Sequence, residues 1–215
     1  MAETVDVYWS FRSPYSYLVT EDLLQLARDF DVEVNLRGVF PIAIRDKAAL
    51  FDASDRKPTQ YILMDWERRA AFLGRAHAWP NPDPVVQDYQ TMEVAADQPH
   101  IYRLSTLGVE AQRRGQGIAF AAAVSKLIFG GTKNWHEGDH LKDAAASCGL
   151  DLASMEAATA NGDHLDEITR NQDALEQAGH WGVPTMVVRG EPFFGQDRID
   201  TLRWRLERLG ADRRP

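Results

Sequence analysis

The sequence is short of cysteine, of surplus positive charge and of long apolar runs, and each shortage excludes something. Cys148 is the only cysteine among 215 residues. No intrachain disulfide and no internal dithiol pair can form, and such usage fits a reducing compartment. Lysine and arginine number 24 against 32 acids, a formal charge of −8. A surface that neutralises nucleic-acid phosphates needs concentrated cations, so nucleic acid is excluded as the expected partner. The arginines at 203, 205, 208, 213 and 214 read instead as a solvated helix face and tail. The most apolar stretch, Ile118–Val124, ends at Ser125-Lys126. It is too short to cross a bilayer and reads as a buried helix, so no membrane partner is expected. Two acids, Glu3 and Asp6, stand where an export signal would carry positive charge. A cytoplasmic protein is the expectation.

The remaining composition, 44% hydrophobic and 26% charged, is that of a globular protein with a sizeable core. Val5–Ser10 alternates and is β-rich, and after Ser13-Pro14 the residues Leu18, Leu23, Leu24, Ala27 and Phe30 recur at helical spacing. Val32–Val39 alternates again, which completes a βαβ unit and predicts a parallel pair of strands. From about Pro41 to Gly179 strand signals almost vanish. Helical patterns run over Gln60–Leu73, Pro84–Ala95, His100–Gln112, Ile118–Phe129 and Leu150–Ala160, with loops marked by the prolines of Trp79–Pro84 and by Gly130-Gly131. A strand at Thr185–Val188, a turn at Arg189–Glu191, a strand at Pro192–Phe194 and a helix from Arg198 to Leu209 follow, with Asp197 placed as the helix N-cap. Removing the helical block leaves βαβ–ββα. The expected fold is therefore α/β, a thioredoxin-like core made of residues 1–40 and 180–215 and split by an all-helical insertion at 41–179.

Three segments carry the chemistry. Phe11-Arg12-Ser13-Pro14-Tyr15-Ser16-Tyr17 lies at the junction of the first strand and first helix, where a thioredoxin core places Cys-x-x-Cys; here both positions are serine. By capping statistics alone, Ser-Pro before a helix is an ordinary N-cap. The second segment is Gly182-Val183-Pro184-Thr185. A cis proline at this point of the fold would turn the Val183 backbone toward the helix start, where a peptide-like ligand such as glutathione could pair with it as an extra strand edge. The third, Phe194-Gly195-Gln196-Asp197-Arg198, gathers a glycine, an acid, a base and helix-end N–H groups. It suits a γ-glutamyl group with its amine and carboxylate, and equally suits a plain cap with a surface ion pair.

In order and content these segments resemble the family of the kappa-class glutathione transferases and 2-hydroxychromene-2-carboxylate isomerases, relatives of the disulfide oxidoreductase DsbA. Tyr61 and Asp65 add a helical Tyr-x-x-x-Asp pattern. The resemblance implies glutathione as cofactor and Ser13 as the catalytic serine, donating its hydroxyl to the glutathione thiolate. It implies that Val183, beside cis-Pro184, pairs with the cysteinyl backbone, and that Gln196, Asp197 and Arg198 hold the γ-glutamyl end. Where the family carries a lysine three residues before the tyrosine, this chain has Pro58; Lys57, one residue earlier, is the candidate ligand. Substrate-facing residues are expected from the region of Trp79–Pro84. The implied activity is a glutathione-dependent isomerase of an unsaturated aromatic or chromene-type carboxylate. A kappa-like transferase acting on a small-molecule electrophile and a non-catalytic thioredoxin-like binding module are the alternatives, and a homodimer is the implied assembly.

Two other signals are set aside. His136-Glu137-Gly138-Asp139-His140 matches the zinc-protease pattern H-E-x-x-H, which requires a regular helix, whereas its glycines suggest a loop or helix start, so no metal is expected. Cys148, among small residues, reads as a space-filler. His180 and Trp181, just before the Gly-Val-Pro turn, either line the ligand cleft or pack behind it.

Overall fold

The computed structural model describes residues 2–45, 54–160 and 162–214. Strand β1 (Glu3–Trp9) leads through a short turn into α1 (Pro14–Leu18) and α2 (Thr20–Asp29), and the chain returns as β2 (Val32–Gly38). Ser13 caps α1 with its side chain and Pro14 opens the helix, where its missing N–H has no intrahelical partner to lose. β1 and β2 pair in parallel from Glu3 opposite Val32 to Trp9 opposite Gly38. Seven helices follow among the described residues: α3 (Ile42–Arg45), α4 (Lys57–Phe72), α5 (Ile101–Arg113), α6 (Gly117–Phe129), α7 (His140–Ser147), α8 (Leu152–Thr159) and α9 (His164–Gln177). Strands β3 (Thr185–Val188) and β4 (Glu191–Phe194) complete a sheet of order β2-β1-β3-β4, and a 3₁₀ turn at Gln196–Arg198 enters α10 (Ile199–Leu209). This is the expected α/β arrangement, a DsbA-like thioredoxin fold.

The alternation of β1 explains how the layers form. Val5, Val7 and Trp9 enter one large apolar core with Leu23 and Leu26 of α2, Phe120 and Val124 of α6 and Leu202 of α10. Tyr8 belongs to a second cluster with Val39 and Leu175 of α9. The insertion thus contributes to the same core as the sheet. α5 and α6 pack on β2, and α6 also packs on α1 and α2. Gly108 of α5 is required by this docking, because a Cβ there would lie 2.8 Å from a ring carbon of Phe11. The insertion therefore grips the chain two residues before Ser13.

Three local expectations differ from the structure. Pro84–Ala95 is not a helix; it is a turn-rich loop with one bridge, Gln87 to Val94. Side chains take the backbone bonds a helix would have used. Gln98 accepts from the Val86 N–H and donates to the Val86 carbonyl, Asp83 accepts from Val85, and Asp88 accepts from Gln90 and Thr91. Asp197 does not cap the last helix. It lies inside the 3₁₀ turn, and α10 begins after Arg198 without a side-chain cap. The long helix α9 and the shorter α3 and α7 were not singled out by periodicity. α9 mixes its few apolar residues with Asp, Glu, Asn and Gln, and buries His164 and Asn171 alongside Ile168 and Leu175.

Candidate active site

Topology brings the first two chemical segments together. β3 runs antiparallel to β1 with Tyr8 opposite Thr185, so the residues after β1 and the residues before β3 emerge at the same end of the sheet. The Ser13 hydroxyl accepts the Ser16 N–H at 3.1 Å and donates to the Val183 carbonyl at 3.3 Å. The Val183–Pro184 peptide is cis, as the sequence reading anticipates. Ser16, three residues on, is buried with its hydroxyl unpartnered. Of the two serines, only Ser13 is engaged at the surface of a cavity.

The turn around Val183 is held on all sides. Gly182 donates its N–H to Nδ1 of His180 at 2.8 Å, its carbonyl accepts from the Thr185 hydroxyl at 2.7 Å, and the Pro184 carbonyl accepts from the Gly195 N–H at 2.9 Å. The last of these bonds joins the third segment to the second. The 3₁₀ turn carrying Gln196, Asp197 and Arg198 also packs against α1.

Ser13 and Val183 border a cavity of about 760 Å³. Its lining is overwhelmingly apolar, with the rings of Tyr15, Tyr61, Trp79, Tyr89, Trp181 and Phe194 in its wall. Cavities of this size and character take small molecules, with a few polar groups fixing orientation. The polar groups here are Ser10, Ser13, Thr59 and Gln60 and three arginines, Arg12, Arg45 and Arg56. Arg45 donates to the carbonyls of Phe40 and Trp181, and Arg56 to those of Tyr89 and Gln90, so both cations also tie down the cavity's loops.

Arg12 is the most buried of these cations. Its guanidinium donates to Asp83 from Nε and Nη2, each at 2.9 Å, and from Nη2 to Gln87 at 2.7 Å. Only 8% of the Arg12 side chain and 9% of Asp83 are exposed. Burial opposes the charge on Arg12, but Asp83 and its hydrogen bonds outweigh burial and hold the guanidinium above its ordinary pKa. Tyr89 donates to the same carboxylate, and burial followed by the Asp83 charge and hydrogen bond pushes its phenol up to about 12. Tyr15, on the other side of Ser13, donates to Asp65 at 2.7 Å; burial and then this bond raise its phenol well above the ordinary value. Burial would raise Asp65, but the bonds from Tyr15 and Arg68 reverse that and keep it ionised. The serine is flanked by two fixed carboxylate networks, neither of which offers a free base.

Of the residues selected from sequence, Ser13 and Val183 lie in the cavity wall, while Pro184, next along the chain, is buried and outside the lining. Gln196, Asp197 and Arg198 lie beside the cavity and not in its lining. Gln196 is buried and accepts from Nε of Arg69 at 3.0 Å, while Asp197 and Arg198 pair with each other at 2.9 Å and are about half exposed. Lys57 is exposed at the start of α4 and outside the lining, whereas its neighbour Arg56 is within it. The Trp79–Pro84 region faces the cavity as expected, through Trp79, and supplies Asp83 to Arg12. Sequence reasoning missed Arg12, Asp83 and Tyr89. The separation of Arg12 from Asp83, 71 positions, leaves no periodic signal, although an arginine beside a candidate serine was a residue to pair. His136 sits in a turn and His140 opens α7, with Gly138 at φ +57° between them, so the two histidines do not share a helix face. Cys148 is half-buried at the end of α7, next to the Ser147 hydroxyl. Among the described residues no group of three or more His, Cys, Asp or Glu is arranged to hold a metal ion, and no helix is long and apolar enough to cross a membrane.

Comparison with known proteins gives a consistent picture. The model of the DsbA-like thioredoxin domain family matches residues 4–207. A 2-hydroxychromene-2-carboxylate isomerase from Sphingobium xenophagum is 26% identical over 205 residues, covering 94% of this chain and 97% of that protein. A solved structure of a 2-hydroxychromene-2-carboxylate isomerase superposes with a TM-score of 0.71 at 21% identity, over 96% of this chain and 95% of that one. The cytosolic disulfide reductase DsbM from Pseudomonas aeruginosa, solved with GSH, superposes with a TM-score of 0.59 at 13% identity, over 95% of this chain and 99% of that one.

Proposed function

This chain belongs to the DsbA-like thioredoxin family, and we propose that within it the protein is a glutathione-dependent isomerase of the 2-hydroxychromene-2-carboxylate isomerase kind. One observation carries the reading: Ser13, at the start of the first helix, has its hydroxyl 3.3 Å from the Val183 carbonyl at the edge of an aromatic-walled cavity. The names of the isomerase relative and of the DsbM structure with GSH point the same way. The residues fit glutathione. A serine donor, a backbone edge at Val183 and an acid–base pair at Asp197 and Arg198 match the thiol, the cysteinyl amide and the γ-glutamyl zwitterion in turn.

When bound, glutathione would supply a thiolate that adds reversibly to a conjugated double bond, permits rotation and leaves with no net consumption. The chain's own contribution starts at Ser13. Its oxygen accepts the Ser16 N–H, which polarises the hydroxyl into a better donor, and the proton now given to the Val183 carbonyl would be available to a ligand sulfur. A free thiol is mostly protonated at neutral pH, so a donor that favours the anion raises the reactive fraction. Asp197 would hold the ligand's amine, and Arg198 with the N–H groups of the 3₁₀ turn would hold its carboxylate. The aromatic wall would keep water from the reacting carbons; Arg12, Arg45 and Arg56 hold the surrounding loops, and the charges of Arg45 and Arg56 favour an anionic substrate.

Titration with glutathione, followed by calorimetry and ultraviolet thiolate absorbance, tests the reading. Saturable binding with a thiolate signal supports it, and neither signal at millimolar ligand sinks it. Incubation with glutathione and unsaturated aromatic carboxylates then separates two outcomes by mass spectrometry. An isomer of unchanged mass marks the isomerase, and a stable adduct marks a kappa-like transferase using the same site.

A further inference from the structure

One of the bonds that hold the Gly182–Pro184 turn goes to a side chain that takes no part in the chemistry above. The imidazole of His180 stacks with two aromatic rings, Phe194 at 4.0 Å from centroid to centroid and 23° between planes, and Trp181 at 5.6 Å and 16°. Its Nδ1 accepts the Gly182 N–H at 2.8 Å. A nitrogen that accepts carries no proton, so this geometry is that of the neutral ring with hydrogen on Nε2. Gly182 is needed for the approach, because a Cβ there would lie 2.5 Å from Phe194 and 3.0 Å from His180.

We propose that His180 is a positioning residue for the Val183 ligand edge, holding the turn through the Gly182 N–H and releasing it when the imidazole gains a proton. Protonation places hydrogen on Nδ1, which then faces the Gly182 N–H donor to donor. The turn must shift or the ring must leave its stack, and in either case the segment that carries Val183 loses one of the bonds that hold it beside Ser13. The surroundings leave His180 to govern this alone. The His180 N–H donates to the Leu175 carbonyl of α9, and the ring meets Phe194 of β4. Arg45 of α3 donates to the Phe40 and Trp181 carbonyls, and among the described residues no ion pair is recorded for the imidazole. Burial favours the neutral ring and lowers its pKa, so the intact turn is the state at neutral pH and above. The identity of the ligand rests on the glutathione reading above; the behaviour of the turn does not.

The test compares the full-length chain with His180→Asn and His180→Phe. Asparagine offers an oxygen to the N–H two residues on and does not titrate, whereas phenylalanine keeps a stacking ring and offers no acceptor. The probe is S-methylglutathione, which has no thiol to ionise, titrated by calorimetry from pH 8 to pH 5. The wild-type chain is expected to bind about fivefold more weakly at the acid end, the equivalent of one hydrogen bond of about 1 kcal/mol. His180→Asn should match the pH 8 affinity and stay flat, and His180→Phe should be weak and flat throughout. A flat wild-type profile, or wild-type affinity and profile in His180→Phe, overturns the proposal. Amide hydrogen exchange of Gly182 and Val183 without ligand gives an independent reading. Protection at pH 8 is expected in the wild-type chain and His180→Asn and lost in His180→Phe, and equal protection in all three overturns the proposal. If none of the three proteins binds the probe, the glutathione reading fails while the exchange measurement still decides the role of His180.

Discussion

Replacing Ser13 by alanine tests the centre of the site, because its hydroxyl has two jobs with different magnitudes. In the free chain it accepts the Ser16 N–H at 3.1 Å and donates to the Val183 carbonyl at 3.3 Å. Loss of a serine N-cap costs about 1 kcal/mol, and a long neutral hydrogen bond adds about 0.5 kcal/mol. A total of about 1.5 kcal/mol corresponds to a fall in Tm of about 3–6 °C for a chain of this size. The fold should survive. Catalysis should suffer more, since a hydrogen bond to a charged group is worth about 1.5–3 kcal/mol, which is about 10- to 150-fold in kcat/KM. Ser16→Ala is the internal control. Its buried hydroxyl has no partner, so its removal should leave Tm unchanged or slightly raised and turnover intact. Differential scanning calorimetry and steady-state kinetics on the three proteins read both quantities. Full turnover in Ser13→Ala, or a loss in Ser16→Ala equal to that in Ser13→Ala, would refute the assignment.

Asp83→Ala strands the Arg12 guanidinium in the cavity wall, so a loss of about 3–5 kcal/mol is expected, visible as a Tm fall of about 10 °C or more; a Tm within a degree of wild type would show that the pair is not a buried partnership. For Tyr89 the sign follows from a folded pKa of about 12 against an ordinary 10.0. The native state favours the neutral phenol, so its contribution is complete below pH 10 and is lost as pH rises toward 12. Spectrophotometric titration should find one late-titrating tyrosine missing in Tyr89→Phe, and an unchanged curve would contradict the Asp83 contact. Gly182→Ala should lose about 1–3 kcal/mol to overpacking against Phe194 and His180, together with affinity for glutathione; chemical denaturation and calorimetry measure the two losses.

Much of this protein was legible before any coordinates. The β1–α1–α2–β2 unit and the closing β3–β4–α10 unit are written in local signals, such as alternation in Val5–Ser10, Pro14 at a helix start and the turn at Arg189–Glu191. Ser13 and Val183 could be chosen as neighbours because position in the fold follows from element order. The loop at 84–95 defeated periodicity because Gln98 and Asp83, through their side chains, took backbone bonds that a helix would have used. The last helix likewise began later than its apparent cap, because Asp197 pairs with Arg198 inside a 3₁₀ turn.

By itself, then, the sequence determined the layer architecture, the serines at positions 13 and 16 and the two backbone segments that frame the site, since each is encoded in residues close together along the chain. Only the tertiary structure decided which groups surround Ser13. Arg12 meets Asp83 across 71 positions, Tyr15 meets Asp65 across 50, and the Ser13 hydroxyl meets the Val183 carbonyl across 170. Such pairings are fixed by how the insertion docks on the sheet and by the antiparallel register of β3 on β1. No local pattern carries them, because hydrogen bonds and charge pairing act through space, and the packed core sets the distances.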